Sequence, residues 1–261
     1  MQTILSLASI GMFALGCASD TGGARVTFDA EAVGTAPVTA GTIAYDDAET
    51  GWHVTLTTAR VALGPVYLWS GKPLNTLRTA NAEDQFDFGF LRGQVVDQVP
   101  VDLIASAGAP TPIGAGDGLA GEALSAELWL APPVDSAVEW TFEVVGEATR
   151  AGTTVRFRGG LTIDESVIDE TSGDTAFVKR KVRAIPFEAE VADGGTVVVA
   201  CDARRWLAGA DFAHYLPDPV PDPNVPIDAV IAFPDPVWNQ WLYQVRQARG
   251  IGPWSLTWLD P

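Results

Sequence analysis

Residues Gly51 to Trp69 read GWHVTLTTARVALGPVYLW, and the architecture turns on this stretch. Trp52, Val54 and Leu56 alternate with His53, Thr55 and Thr57, the period of a sheet with one face buried. At Thr57-Thr58 the apolar set changes parity, to Ala59, Val61 and Leu63. A β-bulge does this, because one extra residue re-aims every side chain after it. Gly64-Pro65 predicts a turn into Val66-Tyr67-Leu68-Trp69. The stretch reads as the nucleus of a sheet, not as a place where chemistry is done.

The same alternation recurs on both sides. Arg25 to Glu31 reads as a first strand, with Val26, Phe28 and Ala30 in one phase, and Thr42 to Tyr45 as a short second one. Gln94 to Ile104 is strand-like, with Val99, Val101 and Leu103 inward. Pro100 puts it at an edge, because proline donates no ladder hydrogen bond. Leu124 to Leu130 alternates as well, and Phe88 and its neighbours pin a loop or edge. Val138 to Val145 and Thr153 to Ile163 predict a hairpin about Arg150-Ala151-Gly152. Trp140, Phe142 and Val144 face Val155, Phe157 and Leu161, with Glu139, Thr141 and Glu143 outward. Phe177 to Val191 and Thr196 to Asp202 predict a second hairpin about Asp193-Gly194-Gly195. Trp254, Leu256 and Trp258 alternate in a closing strand.

Between these runs, Lys72 to Gln85 and the acidic Asp164 to Asp174 read as loops, the latter faced by Lys179, Arg180, Lys181 and Arg183. Gly108 to Gly121 reads as a glycine-rich loop. Its Gly116-Asp117-Gly118-Leu119-Ala120-Gly121 fits G-x-G-x-x-G, but Leu124 to Leu130 beyond it alternates as a strand where a dinucleotide site opens a helix. Asp202 is suited to cap a short turn from Ala203 to Leu207. Residues 216–236 hold seven prolines and read as an extended strap that stops helix and sheet. One helix comes after the strap: Asp235 as N-cap, Pro236 first, Trp238, Trp241, Leu242 and Val245 in a stripe, Arg246 and Arg249 in the last turn, Gly250 at its end. The fold class is therefore mainly β: an antiparallel β-sandwich-like domain over residues 24–261 with one C-terminal α-helix.

Glycine (26) and proline (18) are plentiful and spread through the 261 residues, as many short strands joined by turns require. The net charge of −17 repels phosphate backbones, so nucleic acid is excluded as a partner class. Ile4 to Leu15 is uncharged and apolar, too short to span a bilayer and right for a signal-peptide core. It ends in Ala14-Leu15-Gly16-Cys17, which resembles the bacterial lipobox, with Ala14 where leucine is usual and no lysine or arginine in Met1-Gln2-Thr3. The resemblance implies removal of residues 1–16 and acylation of Cys17, with residues 17–23 as tether. Ala18 stands where an aspartate would favour inner-membrane retention, so the resemblance points to the outer membrane or surface of a Gram-negative bacterium, with its lipid as partner.

Cys201 is then the single mature cysteine, unable to form an intramolecular disulfide, and its phase with Val197 and Val199 predicts a small buried apolar residue. There are two histidines, His53 and His214. Neither has a metal-ligand partner at close spacing, so a copper or zinc site would be assembled in space from both, with Asp211 or Cys201. No nucleophile, zincin or Walker motif is present and no carboxylate pair is set apart, so no catalytic residue is assigned and no enzyme is expected. Three functions are compatible with these features: an envelope lipoprotein with a structural or interaction role toward another envelope protein, a metal-binding protein through His53 and His214, and a carbohydrate-binding module using exposed tryptophans among the nine.

Overall fold

The computed structural model describes residues 23–72, 88–130, 139–163, 179–218, 225–248 and 252–261. Its strands are β1 (Arg25–Gly34), β2 (Val38–Thr39), β3 (Thr42–Asp46), β4 (His53–Trp69), β5 (Leu91–Val95), β6 (Val99–Asp102) and β7 (Thr111–Leu119). Beyond these lie β8 (Gly121–Leu130), β9 (Phe142–Arg150), β10 (Thr153–Leu161), β11 (Lys181–Val191), β12 (Thr196–Cys201), β13 (Ile227–Ile231) and β14 (Trp254–Leu259). All fourteen belong to one hydrogen-bonded sheet with the main path β13-β10-β9-β4-β5-β7-β1-β12-β14. The pairings are antiparallel except β1–β12 and β10–β13. Phe142 on β9 and Trp254 on β14, far apart along that path, have ring centroids 6.4 Å apart. The two arms therefore face one another across the core as the layers of a sandwich.

β4 joins the arms. Along one edge it pairs with β9 and then β8; along the other it meets β3, β6 and β5 in turn. The bulge predicted at Thr57-Thr58 is present: the register with β9 runs Leu56 to Gly146, then Thr58 to Val145. Val54, Leu56, Ala59 and Val61 are all completely buried, so the extra residue keeps both apolar phases on one side. The turn expected at Gly64-Pro65 does not form. β4 runs straight through it for seventeen residues, with a second register shift against β8 between Leu63 and Val66. Gly64 has φ +114°, and a Cβ there would run into the backbone carbonyl of Asp97. The glycine marks a close crossing of two chains, not a reversal.

The β9–β10 hairpin forms as expected, with Phe142, Val144, Val155, Phe157 and Leu161 buried. Thr141, expected outward, is buried too; its backbone bonds to Leu161 and Ala62 draw that end of β9 under its neighbours. β6 lies at an edge, paired only with β4 among the described strands, as Pro100 demands. The second hairpin is corrected. β11 pairs with β8, whereas β12 pairs with β1 and β14. The Asp193-Gly194-Gly195 turn docks on β1 instead: Asp193 Oδ1 accepts from Thr27 N (2.8 Å) and Oγ1 (3.1 Å), and Gly194 N donates to Thr27 O (2.8 Å). It carries the chain from β11, beside β8, to β12, between β1 and β14.

The predicted glycine-rich loop is strand β7, paired with β1 and β5. Its central glycine makes room for an aromatic ring: a Cβ on Gly116 would overlap Phe28. The strap is also corrected. Ile227–Ile231, the proline-free stretch within it, is β13, parallel to β10. The helix, α1 (Pro236–Val245), has Asp235 Oδ1 accepting from Trp238 N at 2.7 Å and buries Trp238, Trp241 and Val245. It ends at Val245, with Arg246 as C-cap; Arg249 and Gly250 lie outside the described residues. So do the leader, Cys17 and the acidic loop at 164–174. Trp206 and Trp241 meet edge-on at Phe142, 5.2 and 6.3 Å from its ring, forming the aromatic centre of the core.

Candidate binding site

The residues marked for metal do not come together. His53 stands on the outward phase of β4, its Nδ1 2.7 Å from Asp46 Oδ1, with both side chains substantially exposed. His214 is exposed in the 3-10 turn Phe212–Tyr215, its ring 5.3 Å from that of Tyr215. Cys201 is buried on β12, and loss of water pushes its thiol far up from the ordinary value. Asp211 faces a different set. Its Oδ1 accepts from Trp52 Nε1 (3.0 Å) and Ala213 N (3.0 Å) and lies 3.5 Å from Arg150 NH1. Trp52 lies just ahead of β4 and is buried, on the face opposite exposed His53. Among the described residues no three of His, Cys, Asp or Glu converge so as to hold a metal ion. Copper or zinc on His53 and His214 therefore draws no support from the geometry.

The tryptophans divide. Trp52, Trp206, Trp238, Trp241 and Trp254 are buried; Trp69, Trp129, Trp140 and Trp258 are partly exposed. Trp69 and Trp129 share one face. In the second half of β4 the core phase is Val66 and Leu68, so Tyr67 and Trp69 point away from the core. On β8 Leu128 and Leu130 are buried and Trp129 lies between them, on the same outer side. The Tyr67 ring is 6.3 Å from Trp69, tilted by 36°, and 6.3 Å from Trp129. Phe88 stands edge-on to Trp69 at 5.0 Å.

Register places polar side chains in line with these rings. Thr27 is opposite Asp117, Asp117 opposite Gln94, Gln94 opposite Tyr67, and Tyr67 opposite Glu127. At about 4.8 Å between strands, that row spans roughly 19 Å. Glu127 is only 4% exposed although it faces outward; it accepts from Trp129 Nε1 (2.7 Å) and pairs with Arg183 Nε (3.1 Å). The bonds orient the Trp129 ring and leave the carboxylate neutralised by its partner. Lys181 Nζ sits 4.7 Å from the Trp129 ring centre. Next to the rings, β1, β7 and β5 form a groove of about 510 Å³ lined by Arg25, Thr27, Arg92, Gln94, Asp117 and Asp193 among others. Thr27 donates to Asp193 through its backbone N–H and hydroxyl, and this holds the Asp193 carboxyl below the ordinary carboxylate value.

A second groove, about 630 Å³, runs along the outer face of the other arm. There the cross-strand row is Thr55, Glu147, Arg156 and Asp228, a ladder of alternating charge, and the lining aromatic Phe157 is buried beneath it. Tyr67, Trp69 and Trp129 lie in runs whose alternation marks strands, but alternation alone does not separate them from the core. The local signal is that Tyr67 and Trp69 alternate with Val66 and Leu68, and Trp129 falls between Leu128 and Leu130. No protein-family model, no curated protein and no solved structure matches this chain.

Proposed function

We propose that this is an exported, lipid-anchored protein of the bacterial cell envelope that displays a binding domain and carries no catalytic activity. The observation that carries the reading is Leu15-Gly16-Cys17 behind an uncharged apolar segment, close before the first strand at Arg25. The fold supports it. Ala120 N donates to Ala24 O at 2.8 Å, and a Cβ on Gly23 would meet the Ala120 carbonyl, so the chain is held by the sheet from its first described residues. An anchor at Cys17 would keep the domain within a short reach of the membrane surface. Among the described residues, the outer faces of the sheet carry the two grooves, of about 510 and 630 Å³, that the domain presents for binding. Globomycin treatment of the producing cells tests the anchor: the unprocessed precursor accumulates, and Cys17→Ala, which has no thiol to acylate, leaves the leader uncleaved without the drug. Unchanged processing under globomycin would sink the reading.

A further inference from the structure

We infer that the outer face of β5, β4 and β8, with the adjoining groove of β1 and β7, is a binding site for a neutral polysaccharide. It deepens the binding-domain reading above and does not depend on acylation. Three observations carry it. First, Tyr67 and Trp69 form a tilted pair two residues apart on one strand, partly exposed, on a surface whose underside is the packed core. Aromatic faces in this arrangement are platforms for the C–H-rich faces of pyranose rings, which are apolar above and below and polar around the rim. Second, the groups in line with the rings are planar hydrogen-bonders on rigid strands. Gln94 sits opposite Tyr67 and Asp117 beyond it, with Arg92 lining the same groove. A sugar rim carries vicinal hydroxyls that fit such donor–acceptor forks. The row also advances by one strand spacing per residue, close to the repeat of a β-linked hexose chain.

The third observation is charge. The whole chain carries −17, yet the groove is lined by two arginines, Arg25 and Arg92, and two aspartates, Asp117 and Asp193. Beside it Glu127 and Arg183 neutralise one another. The groove carries as many arginines as aspartates, and on the adjoining face the described charges are the Glu127–Arg183 pair and Lys181 over the Trp129 ring. The site therefore lacks the acidity of the rest of the chain and has no run of like charge to complement a polyanion or a polycation. A neutral, hydroxyl-rich polymer meets both features. The other groove has the charge ladder, but its lining aromatic, Phe157, is buried in the core, and that groove serves as the control.

The test is affinity electrophoresis of the full protein, purified in a polyoxyethylene detergent that carries no sugar, through gels containing soluble β-glucan, xylan or mannan. At least one of these retards the wild type. Trp69→Ala weakens that retardation tenfold or more, and Gln94→Ala, which removes no ring and leaves the core untouched, weakens it threefold or more. Arg156→Ala, on the other groove, leaves it unchanged. Near-ultraviolet circular dichroism of each variant establishes that it is folded. Retardation by none of the three polymers, retardation only by an anionic polymer such as polygalacturonate, or equal retardation of Gln94→Ala and wild type overturns the proposal. A dimer in solution that Trp69→Ala dissociates would assign the face to a second copy of the chain and overturn it as well. Because binding is measured in detergent, a failure here is separate from a failure of the globomycin experiment.

Discussion

Asp211→Ala should cost this protein about 2 kcal/mol, through a tryptophan far from it in sequence. Trp52 is 1% exposed and its indole N–H has one acceptor, Asp211 Oδ1 at 3.0 Å. Alanine leaves that donor without a partner, a loss of about 1–3 kcal/mol. The same oxygen caps the turn at Ala213 N, which is typically worth ~1 kcal/mol. The Arg150 contact at 3.5 Å joins two side chains 35% and 58% exposed, so solvent screening leaves it at most ~1 kcal/mol. Water can reach part of the space the carboxylate vacates, which keeps the total near the lower end of the sum. For a chain of this size the thermal midpoint then falls by about 4–8 °C. Asp211→Asn retains an acceptor oxygen and a capping side chain, and should lose about 1 kcal/mol or less. Urea unfolding followed by tryptophan fluorescence measures both.

The pH dependence arises from the same contacts. The Trp52 bond, then Ala213 N–H and the Arg150 charge, hold the Asp211 carboxyl below its ordinary value against the opposing effect of partial burial. Its folded value is depressed, so its contribution is fully present above the unfolded carboxylate value and lost as pH falls through the folded one. The gap between wild type and Asp211→Asn should therefore be widest near neutral pH and close in acid. An Asp211→Ala variant within about 0.5 kcal/mol of wild type, the ordinary scatter of a surface change, would refute the reasoning. So would a gap that widens in acid.

Three further outcomes are expected. Gly116→Val places two methyl groups in the space held by the Phe28 ring and should lower stability by about 1–3 kcal/mol in urea titration, unless β7 is not in the sheet. Cys201 is 2% exposed and its thiol is pushed up by burial, so a disulfide reagent should label it only in denaturant; labelling in buffer at the denatured rate would place it at the surface. Burial raises the phenols of Tyr45 and Tyr215 well above the ordinary value, with Asp47 adding at Tyr45 and the bond to Asp235 adding at Tyr215. Their contribution is complete below about pH 10 and is lost as alkali ionises them in the unfolded chain first, so phenolate absorbance from both should emerge with unfolding and not before it.

Local signals were legible in the sequence. The parity change at Thr57-Thr58 gave the bulge, and Asp235-Pro236 ahead of the Trp238-Trp241-Val245 stripe gave the start and buried face of the helix. Partners distant in sequence were not. Asp193-Gly194-Gly195 signals that the chain turns, but a turn does not say which sheet the next strand joins, and β12 left β11 for β1 and β14. The glycines of β7 look like loop until Phe28 is brought over Gly116. Proline spacing marked a strap, yet five residues between Pro226 and Pro234 sufficed for β13 to join β10. The two histidines stand out in the sequence because they are chemically rare. Exposed tryptophans are an option among the nine, but which of them lie outside is not legible, because strand alternation must be read against the phase of the core before an aromatic is seen to be on the wrong side of it.

That phase is set twice within β4. The bulge at Thr57 moves the core set from Val54 and Leu56 to Ala59, Val61 and Leu63. The shift between Leu63 and Val66 moves it back, to Val66 and Leu68. Had β4 kept the phase of Ala59 and Leu63, Tyr67 and Trp69 would point into the core and the outer face of that arm would lose its rings. Gly64 is where this second change is made, under the Asp97 carbonyl that leaves no space for a side chain. Gly64→Ala should therefore damage two properties that look unrelated. Stability falls because the chains can no longer cross at that point, and ligand retardation falls because the rings are re-aimed. Gln94→Ala affects only the second. A Gly64→Ala variant with weakened stability and full retardation would separate the strand irregularity from the orientation of the rings.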